Sequence, residues 1–154
     1  MFFFVNILKL SKIALSIVQL CSMLGGNERL SPMIKEADIQ IACNVLLNYL
    51  SNQYKFRHFH VANEGKKSIS FHVKLKKMGF RAGVPDFIIE YPDGNILYIE
   101  LKTAKGRLSD SQKLWQIQSE AFNTPHFIVK GTLHECLKEV ENIVKENIPL
   151  RKAS

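Results

Sequence analysis

The stretch GVPDFIIEYPDGNILYIELK, Gly83 to Lys102, constrains the fold more than any other part of the chain. It reads as two apolar strands around a tight turn, yet it carries Asp86 in the first arm and Glu100 and Lys102 in the second. Tyr91-Pro92-Asp93-Gly94-Asn95 suits a three-residue loop: proline fits the second position of a type I turn, and Gly94 tolerates the positive φ that follows. Tyr91 then pairs with Asn95. Paired positions of an antiparallel hairpin keep a constant sum of residue numbers, so this turn places Asp86 across from Glu100. Asp86, Glu100 and Lys102 are expected on one face, with Phe87, Ile89, Ile99 and Leu101 on the other.

Two acids about 5 Å apart across a ladder repel each other, so a cation is expected between them. Mg²⁺ accepts one or two carboxylates, keeps several waters and takes further ligands from a phosphate. Lys102, two residues beyond Glu100, can orient a water there or help to deprotonate it. A surface ion pair would explain Glu100 and Lys102 alone, but not the facing acid in apolar surroundings.

With 154 residues, 46% of them hydrophobic, the chain is long enough for one domain with its own core and short for two. Its net charge of +7 is uneven. Lys55 to Arg81 holds eight basic residues against Glu64 alone, and the remainder is neutral. A basic run is often only a solvated face, but the interleaved Phe56, His58, His60, Phe71, His72 and Phe80 add rings that can stack on bases. Cys21, Cys43 and Cys136 are far apart and odd in number, which points to a reducing compartment and no zinc site. His126 and His134 read as ordinary surface or core residues.

The apolar segment MFFFVNILKLSKIALSIVQLCSML is interrupted by Lys9 and Lys12 and has no basic residue before it. A spanning helix needs roughly 20 uninterrupted apolar residues, and a signal peptide needs its charge first. A packed helix, a membrane-surface helix and a translation start at Met23 or Met33 are the alternatives. Residues 1–30 are expected to be an appendage ending near Gly25-Gly26-Asn27, outside a domain spanning 31–150, and no membrane partner is expected.

Ser31-Pro32 predicts a helix start, with helical spacing from Ile34 to Leu50. Residues 55–61 alternate like a strand, and FHVKLKKMGF fits either a short helix or a strand. Strands are predicted over 84–91 and 96–103, a helix from Ser109 to about Phe122, a strand at HFIVKG, and a closing helix with Leu133, Leu137, Val140 and Val144 inward. The order predicts a mixed α/β fold, a central mixed sheet flanked by helices.

Pro85-Asp86, followed by Glu100-Leu101-Lys102, resembles the PD-(D/E)xK nuclease core. GVPDF, YIELK and GRLSDSQ in that order resemble more narrowly the VRR-NUC domain, the virus-type replication-repair nuclease family, over Ile34 to about Val129. The resemblance implies a restriction-endonuclease-like core, metal-dependent phosphodiester cleavage and an acid on the first helix. Glu36 matches that acid, with Gln40 one turn on along the same helix face. As a first-turn acid, Glu36 also has a bland explanation in the helix dipole. Gln112 has one in a capping box with Ser109, and a capped helix start beside a metal also offers amides to a phosphate.

The expected function is Mg²⁺- or Mn²⁺-dependent hydrolysis of DNA, structured or branched, in replication, repair or recombination inside the cell, in the cytoplasm. Catalysis is expected from Glu36, Asp86, Glu100, Lys102 and Gln112, and metal binding from Asp86, Glu100, the Leu101 carbonyl and Glu36. Lys66, Lys67, Lys74, Lys76, Lys77, Arg81, Lys105 and Arg107 are expected on the nucleic-acid surface. One site per domain makes a homodimer the expected form for cutting two strands. The alternative is a nucleic-acid binding module without catalysis, although clustered carboxylates give such a module nothing.

Overall fold

A computed structural model describes residues 34–61 and 69–148. The helix α1, Glu36–Tyr54, buries Ile39, Ala42, Cys43, Leu46, Leu47 and Leu50, a three-and-four spacing that makes one apolar stripe. It begins later than Ser31-Pro32 predicts: Lys35 is still extended, at φ −87° and ψ 158°, and Asp38 accepts its N–H at 2.8 Å. It also runs four residues past Leu50, to a left-handed Lys55 at φ 60° whose N–H reaches the Ser51 carbonyl. Glu36 is thus the first helical residue.

Strand β1, Arg57–His60, leads to α2, Ile69–Lys77, which settles the FHVKLKKMGF ambiguity in favour of a helix. The deciding residue is Gly79, at φ 90°. The Phe80 N–H reaches the Leu75 carbonyl and the Gly79 N–H reaches the Lys76 carbonyl, the Schellman pair that closes a helix on a left-handed glycine. A glycine after a basic last turn was the available sequence signal.

The hairpin follows as β2, Phe87–Glu90, and β3, Ile96–Thr103. β2 starts three residues later than predicted, because the Gly83 to Pro85 run is irregular and packs elsewhere. The register is the predicted one, with Phe87 opposite Ile99 and Glu90 opposite Ile96. Gly94 has φ 86°, and Tyr91 and Asn95 close the loop with a 2.9 Å bond.

Helix α3, Asp110–Ala121, crosses to β4, His126–Gly131, and α4, Leu133–Glu146, ends the described chain. Ser109 caps α3 and Thr132 caps α4, each in a reciprocal capping box. The sheet order is β1-β2-β3-β4, antiparallel except for the parallel β3–β4 pair, so the fold is mixed α/β with helices flanking a mixed sheet. α1 and α4 bury their stripes on Phe87, Ile89, Ile99, Leu101 and Val129. On α4 the inward set is Cys136, Val140, Ile143 and Val144, with Leu133 and Leu137 partly buried beside it. Among the described residues no helix is long and apolar enough to cross a membrane. The predicted appendage, residues 1–30, lies outside the described residues.

Candidate functional site

Asp86 stands at the entry to β2, where the β1 ladder continues through a bond from the Val61 N–H to the Asp86 carbonyl. His60, whose place here the sequence did not reveal, brings Nδ1 to 2.8 Å from that carbonyl. Each Asp86 carboxylate oxygen has one donor: Gln40 Nε2 at 2.8 Å and the Leu101 N–H at 2.7 Å. Burial raises its pKa, working against the Leu101 bond and the nearby Lys102 charge.

Glu100, at 1% exposure, is the most deeply buried charged group among the described residues. Its Oε1 accepts from Lys102 Nζ at 2.6 Å and from Gln112 Nε2; its Oε2 is buried without a partner. Burial first, then the Asp86 charge, push the carboxyl up to about 7. Gln112 reaches this position because it is the third residue of α3: its Oε1 takes the Ser109 N–H at 2.9 Å while its amide nitrogen turns to Glu100. The capping and site readings of Gln112 therefore both hold geometrically.

Lys102 Nζ spends its three donors on Glu36 Oε1 at 2.7 Å, Glu100 Oε1 at 2.6 Å and the Leu101 carbonyl at 2.9 Å. Burial opposes the charge, but the two carboxylate partners outweigh it and raise the pKa. Lys102 is therefore a fixed cation in this arrangement, a donor that can orient a water rather than a base that can take its proton.

Glu36, Asp86 and Glu100 each present an oxygen within 4.8 Å of the others, a span that one hexacoordinate cation bridges with little side-chain movement. Three carboxylates against one ammonium leave two negative charges uncompensated, which a divalent ion would neutralise. The orphaned Glu100 Oε2 is the atom that most needs such a partner, since a buried unpaired carboxylate oxygen is costly. The donor set, all hard oxygens, fits Mg²⁺ or Mn²⁺.

Two glycines hold the frame, Gly83 and Gly106, which open the GVPDF and GRLSDSQ runs and to which the sequence assigned no role of their own. A Cβ on Gly83, at φ 84°, would lie 2.2 Å from the Ser111 carbonyl oxygen, so the residues leading into Asp86 press on the first turn of α3. A Cβ on Gly106 would meet the Lys102 stem at 3.2 Å, so the loop after β3 lies over the lysine. Lys105 and Arg107 flank that glycine and are exposed. Lys74, Lys76 and Lys77 are exposed on the last turn of α2 and share no hydrogen bond or ion pair with the carboxylates. Arg81 is exposed beside α3. Lys66 and Lys67 lie outside the described residues.

The model of the VRR-NUC domain matches residues 34–132, well over half of the chain. The chain belongs to the VRR-NUC family. A solved structure described as a VRR_NUC domain is similar over 71% of this chain and 97% of its own length, at 14% identity and a TM-score of 0.47. No curated protein matches the chain. Membership makes this a nuclease-type, DNA-processing module, and its VRR-NUC segment contains the whole carboxylate cluster together with Lys102 and Gln112.

Proposed function

We propose that the domain spanning 31–150 is a Mg²⁺- or Mn²⁺-dependent deoxyribonuclease acting inside the cell, with structured or branched DNA as its substrate. The observation that carries this reading is the cluster of half-buried Glu36 with buried Asp86 and Glu100, in which Glu100 Oε2 has no partner. Asp86, Glu100, the Leu101 carbonyl and Glu36 would hold the ion. When bound, it supplies Lewis-acid polarisation of the scissile phosphate and neutralises developing charge.

The remaining work falls to side chains already in place. Gln112 fixes the Glu100 carboxylate, and Gln40 fixes Asp86. Lys102 holds the attacking water in place and offsets the charge that builds on the phosphate oxygens as the water oxygen bonds to phosphorus and the opposite P–O bond breaks, the proton given up by the water ending on the departing oxygen. The Leu101 carbonyl and Glu36, now engaged by Lys102, become free as ligands when the ammonium moves aside. Lys105 and Arg107, at the rim, grip the neighbouring phosphates. One domain carries one such site, so paired cuts require a homodimer.

Incubation of the purified full chain with linear, nicked, flapped and four-way DNA, and with RNA, tests the reading in Mg²⁺, Mn²⁺ or EDTA. Cleavage only with metal, and best on branched DNA, is expected. Cleavage in excess EDTA, or none on any substrate despite tight binding, refutes it; the second result would mark a binding module.

A further inference from the structure

Where α3 faces Tyr98 of β3 lies a cleft of about 400 Å³ lined by Arg81, Tyr98, Trp115, Gln118, Ser119 and Phe122. We propose that this cleft receives one unstacked base of the nucleotide flanking the scissile phosphate. The proposal rests on the nuclease reading and adds a substrate subsite to it.

Position is the first support. Tyr98 lies two residues before Glu100 on β3, and Trp115 lies three residues after Gln112 on α3, so each shares a face with its site residue. Along the strand that step is about 6.6 Å, and along the helix about 4.5 Å. Both walls therefore run outward together from the Glu100–Gln112 contact, and what enters the cleft is attached close to whatever reacts at the carboxylates.

Chemistry is the second support. Tyr98 and Trp115 stand edge to face at 6.3 Å, and His126 braces Tyr98 from behind at 5.9 Å and 87°. Phe122 is 78% exposed at the cleft's end. Aromatic faces stack on any base, and Gln118 adds an amide that can both donate and accept at a base edge. A cleft of this size admits a single base and excludes a duplex, whose bases have no free face. Unpaired bases at a flap or junction do have one, which links the cleft to branched DNA.

Charge selects the occupant. Arg81 is exposed at the cleft without a carboxylate partner among the described residues, in a chain of net charge +7. A second copy would bring the same cation to the same place. A nucleic-acid strand brings a phosphate with its base.

Trp115 is the chain's one tryptophan, so its emission reports on this cleft directly. Titration of the full chain in EDTA with a flapped duplex should quench that emission. An abasic residue at the position flanking the cut, located by metal-supported cleavage, should abolish the quenching and weaken binding about 5- to 100-fold. In anisotropy measurements with labelled DNA, Trp115→Ala and Phe122→Ala should lose affinity, whereas Trp115→Phe should keep it within a few-fold. Unchanged emission at saturation, or equal binding of normal and abasic flaps, overturns the proposal, and the nuclease reading survives if metal-dependent cleavage persists. Quenching without cleavage on any substrate supports the cleft and sinks the nuclease instead. A wild-type dimer in sedimentation that Trp115→Phe leaves intact and Phe122→Ala disperses would assign the cleft to a second copy.

Discussion

Glu100→Gln should stabilise the metal-free protein while abolishing its chemistry. The Glu100 carboxyl titrates at about 7 in the native state against an ordinary 4.5. Across that window the native state holds a proton that the unfolded chain has released, so wild-type stability falls as pH rises from 4.5 to 7 and the cost is fully present above 7. The difference of about 2.5 units corresponds to roughly 3 kcal/mol. Loss of one Lys102 partner offsets part of it, although Glu36 and the Leu101 carbonyl remain. A net gain of about 1–2 kcal/mol is expected at pH 8 in EDTA, or a Tm rise of roughly 4–10 °C for a domain of this size. At pH 4.5 the difference should vanish, because both side chains are then neutral. Thermal unfolding followed by circular dichroism at both pH values checks this. A variant that melts at or below wild type at pH 8, or a gap of equal size at pH 4.5, would refute the reading of Glu100 as a carboxylate whose burial outweighs its pairing with Lys102. Added Mg²⁺ should raise the wild-type Tm and leave the variant unchanged.

Asp86→Asn should keep apo stability, because Gln40 can flip its amide to match the new donor, and it should lose cleavage while DNA binding in EDTA persists; full activity would exclude Asp86 as a ligand. Lys102→Ala should spare DNA binding and lower the single-turnover rate on the order of 10²- to 10³-fold, as the loss of a charge-stabilising donor does. Alanine at Lys74, Lys76 and Lys77 should flatten the dependence of log affinity on log salt by up to about 0.9 for each phosphate that is no longer neutralised, and an unchanged slope would move the binding surface away from α2. A chain starting at Met33 should fold and cleave, since every proposed site residue lies beyond it; insolubility or lost activity would show that residues before it are required.

The hairpin was legible because its information is local. Turn chemistry at Pro92-Asp93-Gly94 fixes the register, and that register, carried one step beyond the Phe87–Ile99 pair, brings Asp86 to the level of Glu100. Glu36 and Gln112 were reachable through family resemblance, not through spacing, since each is separated from its partner by a helix or a loop whose path no local pattern sets. What stayed hidden was the partner of each charge. Sequence reasoning demanded a cation between Asp86 and Glu100 and supplied it as a metal; the fold instead puts Lys102 Nζ on Glu100, Glu36 and the Leu101 carbonyl, and leaves Asp86 to Gln40 and the Leu101 N–H. Such an arrangement depends on a buried aliphatic stem lying under Gly106 and on α1 beginning at Glu36 rather than a turn earlier. The consequence is mechanistic. A lysine that shares three acceptors with the proposed ion could not hold all of them with that ion bound; on the proposed mechanism its ammonium would turn toward the phosphate, and the residue that offsets the charge of the acidic cluster would also serve as the donor beside the reacting phosphorus.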